Sequence, residues 1–336
     1  MGQIAFETAA FPVPAAPRFR PPQRGVLQVS MAQLVRAAIT VGATPVALGA
    51  TPRPLIELCW RATMAAATLA EDHRRRWIRT SAYERLDPSE KSAVSYFLGM
   101  TQAKITCEAL LGVPHLVHLD AVVALLGYPA SRLTRPDLLG FDLATMSYTL
   151  AVEAKGRSGG FDRRAVCRAK VQACSLPRVI GTSSALRVAS LAYFEDRAWR
   201  AYLEDPESTF DELSDRVTIE LLLVAYYRPL VAVLRTVGVR VADRTADDAL
   251  VSGELPGMDL TLSLPVAIVD AFVDDQLVGP VDAGRIEVIG STLKELVPTL
   301  YDRAQRIAED QTRGLPVGLD GVQVDLGTTW LRADRG

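Results

Sequence analysis

Lysine is scarce in this chain, with 5 Lys against 32 Arg, and histidine is scarcer, with 3 in 336 residues. So few histidines make Ser-His-Asp or Cys-His catalysis unattractive. His115 and His118 form a His-x-x-His pair, but the third and fourth ligands of a zinc site are missing, so both read as ordinary packed or partly exposed residues. The four cysteines, at 59, 107, 167 and 174, contain no Cys-x-x-Cys. They read as thiols of a reducing, cytoplasmic compartment rather than a disulfide frame. No apolar run reaches the roughly 18 residues of a membrane span, because Glu220 and Arg228 interrupt the best stretch. The start has no basic segment and carries Glu7, which argues against a secretory signal. Glycine-rich phosphate loops are absent: Gly156-Arg-Ser-Gly-Gly160 matches neither nucleotide-binding fingerprint.

What is present is unevenly charged. Residues 1–188 hold 23 basic and 13 acidic side chains, whereas 189–336 hold 14 and 26. The front half is therefore +10 and the back half −12. The first can attract phosphates and the second repels them. With 49% apolar residues, the chain can bury one large core or two modest ones.

Residues 1–25, proline-rich and basic over 9–24, read as an extended arm. Weak helical periodicity follows over 30–50. A long helix is expected over 54–79, ending in His73-Arg-Arg-Arg-Trp-Ile-Arg79. Those cations either meet phosphate or complement the helix dipole. Asp87-Pro88-Ser89-Glu90 starts a helix that runs to Leu111 and stops at Gly112 and Pro114. Further along, the pattern gives a helix over 162–175, a strand over 187–194 and one or two helices over 210–237, broken at Pro229. A strand pair over 249–273 is split at Pro256-Gly257. An amphipathic helix over 293–311 and a terminal hairpin over 321–331 complete the chain. No linker splits the chain; the charge change near 188 is a candidate boundary between a region 26–188 and an acidic region 189–336, the alternative being that both belong to one domain.

The chain is organised around Arg135–Arg157. Apolar runs Leu138–Phe141 and Tyr148–Val152 flank a plausible turn, which makes a β-hairpin. With the turn near residue 145, opposed positions sum to about 290, so Asp137 lies opposite Glu153. Alternation puts Glu153 and Lys155 on one face and Ala154 on the other. Two carboxylates and one ammonium then converge, and a divalent metal would relieve their crowding. The alternative is a surface ion-pair cluster, worth little for stability. Asp142 is five positions from Asp137 and faces the opposite way in a regular strand, unless Gly140 marks a bulge. In so lysine-poor a chain, Lys155 here and Lys170 on the next helix are what a chemical requirement for a compact ammonium would look like.

Pro136-Asp137 followed by Glu153-Ala154-Lys155 resembles the signature of the restriction-endonuclease-like nucleases, the PD-(D/E)XK superfamily. A Glu-x-Lys triplet alone is expected about 0.2 times by chance at this composition, so the weight rests on its pairing with Pro-Asp across a hairpin. The resemblance implies an α+β fold: a helical N-terminal region, a central mixed β-sheet of restriction-endonuclease-like type flanked by helices, and an additional C-terminal α/β region. It also implies a Mg²⁺-dependent (or Mn²⁺-dependent) nuclease that hydrolyses phosphodiester bonds in DNA, or in RNA, which carries the same linkage.

Under that resemblance Asp137, Glu153 and the Ala154 carbonyl hold the metal, and Lys155 orients the attacking water. A preceding helix contributes a further acid in such nucleases, for which Glu90 and Glu108 are the candidates. Gln172 matches a glutamine of exonuclease-type relatives, although their tyrosine four residues later is Leu176 here. Arg157, Arg163, Arg164, Arg168 and Lys170 form a dense basic stretch suited to the phosphate backbone, or else a solvated helix face. Such folds serve bacterial phage defence, restriction or DNA repair. The other reading is a catalytically inactive nuclease-fold subunit that binds nucleic acid or assembles. The acidic half would dock a protein partner, cover the basic site or serve solubility, with docking favoured; a homodimer is compatible, and no membrane is involved.

Overall fold

A computed structural model describes residues 1–11, 21–41, 53–125, 135–143, 147–175, 186–205, 217–241, 249–277, 281–309 and 318–333. The chain enters the central sheet at once. Strand β1 (Gly2–Ala9) alternates buried and half-buried positions, with Ile4 and Phe6 turned inward. It pairs antiparallel with β2 (Arg24–Val29). The expected arm over 1–25 is thus corrected at its first nine residues, whose alternation suits a sheet; residues 12–20 lie outside the described residues. Helix α1 (Met31–Thr40) begins in a capping box: Ser30 Oγ accepts from the Gln33 amide, and the Gln33 side chain accepts from the Ser30 amide.

The helix expected over 54–79 is shorter. It runs as α2 (Arg53–Thr68) and gives way to a hairpin, β3 (Leu69–Glu71) and β4 (Trp77–Arg79). Asp72 is the cause, since its Oδ1 accepts from the amides of Arg74 and Arg76 and folds the basic run into a turn. Trp77 is then buried, with its indole N–H donating to the Val29 carbonyl. After the short α3 (Ser81–Arg85) comes α4 (Pro88–Leu111), capped by Asp87 and Glu90 as expected and closed by Gly112 in the left-handed region.

Strand β5 (Leu116–His118) and helix α5 (Leu119–Leu125) lead to the hairpin β6 (Leu138–Asp142) and β7 (Ser147–Gly156). Helix α6 (Arg163–Cys174) starts at Asp162, and β8 (Leu186–Glu195) and β9 (Ala198–Glu204) follow. The sheet order is β2-β1-β9-β8-β7-β6-β5, with β4 bridging to β9. It is mixed: β7 runs parallel to β8 and β9 parallel to β1, while the other pairs on this path are antiparallel. Helices α1 and α4 bury one face, and α6 packs Ala165, Val166 and Ala169 on the other, against Ala189, Leu191 and Tyr193. The protein is therefore α+β, a central mixed sheet flanked by helices.

The acidic remainder folds as α7 (Ile219–Val237), β10 (Arg240–Val241), β11 (Leu250–Leu255), β12 (Leu260–Pro265), α8 (Val266–Ala271), α9 (Ala283–Glu309), β13 (Gln323–Leu326) and α10 (Thr328–Ala333). Strands β10 to β13 form a separate antiparallel sheet. Three sequence expectations change here. Pro229 sits inside a single continuous α7. The amphipathic helix starts ten residues earlier than expected, at Ala283. The terminal hairpin is instead β13 paired to β12, followed by a helix. Among the described residues, no helix is long and apolar enough to cross a membrane.

A boundary at 188 does not survive. That position lies inside β8, and one apolar core runs from Val35, Leu58 and Phe141 through α7 to Leu264 and Trp330. A buried polar cluster ties the same parts together. Asp320 accepts from Arg36 at 2.9 Å and from Lys104 at 2.9 Å, and Arg36 also reaches Glu108 at 2.7 Å. Tyr226 donates to Asp320 Oδ2, Tyr227 to the Asp320 carbonyl at 2.8 Å, and His115 Nε2 lies 2.7 Å from the Tyr227 hydroxyl. Burial opposes its charge, yet Arg36 and Lys104 hold Asp320 far below the usual carboxylate range. Burial pushes His115 down to about 3, so it stays neutral.

Candidate functional site

The hairpin pairs in the expected register. Leu138 faces Val152, Leu139 faces Ala151 and Gly140 faces Leu150, each pair summing to 290. Beyond Gly140 the register shifts so that Phe141 faces Tyr148, and the extra residue is Thr149 on β7. The irregularity therefore falls on the turn side of Gly140 and leaves the register at Asp137 intact.

Asp137 stands one residue before β6, where that strand stops pairing. Its Oδ2 accepts from the Ala154 amide at 2.9 Å, and its own carbonyl accepts from the Leu119 amide at 2.9 Å. The aspartate thus closes the ladder that β6 no longer supplies. The N–H and C=O of one strand residue point the same way. The Ala154 carbonyl is accordingly turned toward the edge where Asp137 sits, rather than toward β8.

Glu153 and Lys155 flank Ala154 on the opposite face of β7 from α4. Ala154 belongs to the core beneath α4, whereas Glu153 pairs in register with Ala189 and Lys155 with Leu191, both under α6. Glu153 is only 1% exposed. Its Oε1 takes a hydrogen bond from Lys155 Nζ, while Oε2 is buried with no donor. Burial, with the Asp137 carboxylate as the second cause, pushes Glu153 up to about 8. Burial also raises Asp137, although Lys155 and the Ala154 amide pull the other way. The two acids share a crowded site that holds a proton near neutrality.

His118 joins them. It ends β5 opposite Leu138, and its Nδ1 accepts from the Asp120 amide at 3.1 Å. Burial holds its pKa down, and the Asp137 carboxylate is its largest opposing influence. Arg135 binds Asp120, and Arg61 of α2 is bound to Glu57 at 2.7 Å and to the Val41 carbonyl at 2.9 Å. The sequence reads His118 as a packed or partly exposed residue, and its side chain is 19% exposed. Its proximity could have been read from the adjacency of β5 to the hairpin, had the three-residue strand been recognised.

The other expected site residues divide. Glu108 is not in the site: it is committed to Arg36 and to the Leu319 amide at 2.9 Å. Glu90 is exposed and serves the α4 cap. Asp142 ends β6 opposite Ser147, at the turn end of the hairpin. Gln172 is half-buried on α6 beside the inward row of Ala169 and Ala173. Much of the basic stretch is neutralised locally. Arg163 and Lys170 both bind the buried Glu204, which they hold down to about 2 against the desolvation that burial imposes. Arg157 pairs with Asp162 at 2.8 Å. Arg164 and Arg168 are exposed on α6.

Among the described residues, no group of three or more His, Cys, Asp and Glu side chains is placed to hold a metal ion. The donor set on offer is two carboxylates and one backbone carbonyl, all oxygen, which suits a hard divalent cation. The unpartnered Glu153 Oε2 and the raised pKa values of both acids are what such a cation would relieve. No family model, curated protein or solved structure matches this chain.

Proposed function

We propose that the chain is a metal-dependent nuclease of restriction-endonuclease-like type that hydrolyses phosphodiester bonds in DNA. The observation that carries this is the Glu153 carboxylate, buried with one oxygen unpartnered, facing Asp137 and held by Lys155. The path from α4 through the β6–β7 hairpin and α6 to the parallel β8 supports the same reading. Asp137, Glu153 and the Ala154 carbonyl would hold Mg²⁺ or Mn²⁺. When bound, that cation supplies a lowered pKa for water and positive charge for the phosphate.

The protein's own groups do the rest. Asp137 keeps its geometry through the Ala154 amide. Lys155 places an ammonium where negative charge develops on the phosphate. Arg164 and Arg168 offer exposed cations to the flanking backbone. Bacterial phage defence, restriction and DNA repair are the settings such chemistry serves, in the cytoplasm.

The test is cleavage of plasmid and oligonucleotide DNA with Mg²⁺ or Mn²⁺, comparing the unaltered protein with Lys155→Ala. Metal-dependent cleavage that Lys155→Ala abolishes supports the proposal, and equal activity in both rejects it. The second reading, an inactive nuclease-fold subunit, draws on the Glu153 carboxylate being only 1% exposed and already bound by Lys155. It expects DNA binding without cleavage in the same assay.

A further inference from the structure

A row of aromatic side chains stands near the end of β7 that carries Lys155. Helix α4 crosses β7 at the end of the acidic strand with no room between the backbones. A Cβ on Gly99 would stand 2.6 Å from the Gly156 nitrogen, and one on Gly156 would overlap the Ser95 carbonyl. Tyr96 follows Ser95, so this contact sets it beside the Lys155–Gly156 end of β7. Tyr96 is 38% exposed, and burial, then the Asp137 carboxylate, raises its phenol pKa. Phe97 meets Tyr96 edge-on at 5.1 Å and Trp60 of α2 edge-on at 4.5 Å. Trp60 is 46% exposed, and Arg61 beside it lies over the Phe97 ring at 5.2 Å.

We propose that Trp60 and Tyr96 form a stacking shelf for unpaired bases, so that the substrate is single-stranded DNA threaded past the Asp137–Glu153 carboxylates. The substrate class rests on the nuclease reading above; the shelf itself does not. Two observations favour a single strand over a duplex. Bases in a duplex hide their faces in the stack, and only unpaired bases offer a π-face to an aromatic side chain. Duplex binding also leans on many unshared cations along the backbone, whereas Arg157, Arg163 and Lys170 are each paired with an acid. A few cations with a stacking surface are the equipment of single-strand binding.

The chain carries its own reporter. Of 4 Trp, only Trp60 is exposed, since Trp77, Trp199 and Trp330 are buried. Titrating the full chain in EDTA with oligo(dT), oligo(rU) and a hairpin duplex separates binding from cleavage. Oligo(dT) is expected to quench Trp60 fluorescence. Trp60→Ala and Tyr96→Ala are each expected to weaken oligo(dT) binding about tenfold, with duplex binding changed less than about twofold. Near-ultraviolet circular dichroism and Tyr96→Phe, which keeps the ring, control for misfolding. Tyr96→Phe should bind like the unaltered protein.

Absence of quenching by oligo(dT), equal losses on duplex, or tighter binding of oligo(rU) would each overturn the proposal. Cleavage of the same oligonucleotides with Mn²⁺ tests the nuclease reading separately. Quenching without cleavage leaves the shelf standing and removes the nuclease.

Discussion

Lys104 and Asp320 lie 216 positions apart in sequence, yet Lys104 Nζ sits 2.9 Å from Asp320 Oδ2 with neither side chain exposed. The contact fastens the acidic C-terminal region to the helix that backs the candidate site. Removing one partner from such a cluster strands buried charge, and the usual cost is about 3–5 kcal/mol. Asp320→Asn is expected to lower stability by that amount in urea or thermal melts, and a loss under about 1 kcal/mol would contradict it. The pH sign follows from a pKa held below its unfolded value. Asp320 contributes stability above roughly pH 4, and that contribution is lost as pH falls through its folded pKa.

Glu153 has the opposite sign. Its folded pKa of about 8 lies above the ordinary 4.5, so the native state retains a proton through that window that the unfolded chain has released. Stability should therefore fall as pH rises from about 4.5 to 8. Glu153→Gln should remove the effect and stabilise the protein at pH 9 by about 1–2 kcal/mol while abolishing activity. Melting temperatures of both proteins at pH 5 and pH 9 check this; a variant less stable at pH 9 would show that burial of the acid is not a penalty.

Metal binding should titrate with the same group. Ligands must lose their protons, so Mn²⁺ affinity is expected to rise steadily between pH 6.5 and about 8.5. Asp137→Asn should eliminate binding, whereas Asp142→Asn should change it little, because Asp142 sits at the turn end of β6. Calorimetric titration of the two variants decides, and loss in the Asp142 variant alone would refute the placement.

Lys155→Ala and Glu153→Ala should each cut cleavage by about 100-fold or more with the fold retained. Near-wild-type metal-dependent activity in either variant would dismiss the assignment.

Gly156→Ala tests the helix–strand crossing. The new methyl has no space beneath the Ser95 carbonyl, so α4 must move away from β7, at about 1–3 kcal/mol. Activity should fall with stability, because the same shift displaces Lys155 and Tyr96 together. Thermal melts and the cleavage assay measure the two losses.

Cutting the chain at residue 188 is not a usable test of the acidic half. The cut would fall within β8 and remove β9, which pairs with both β8 and β1. The −12 charge of 189–336 is a statement about composition, not about a separable body.

Where sequence and structure agree, the signals are local. Asp87, Pro88 and Glu90 specify the start of α4 because cap, ring and carboxylate act within four residues. The turn and the alternation of 138–152 set the hairpin register, and with it the meeting of Asp137, Glu153 and Lys155. The basic run 73–79 misled because periodicity favoured helix while Asp72, through two short hydrogen bonds, turned the chain. Tyr96 comes to the Lys155 end of β7 from α4, and Trp60 of α2 joins it only through Phe97, and no local pattern in their segments points toward Asp137. Strand β1 pairs in parallel with β9, nearly two hundred residues away, and Asp320 finds Lys104 only in the folded core. Caps, turns and alternation are decided by neighbours along the chain. Parallel pairing, the buried charge cluster and the aromatic row are decided by which apolar faces pack together, and that exists only once the chain has closed on itself.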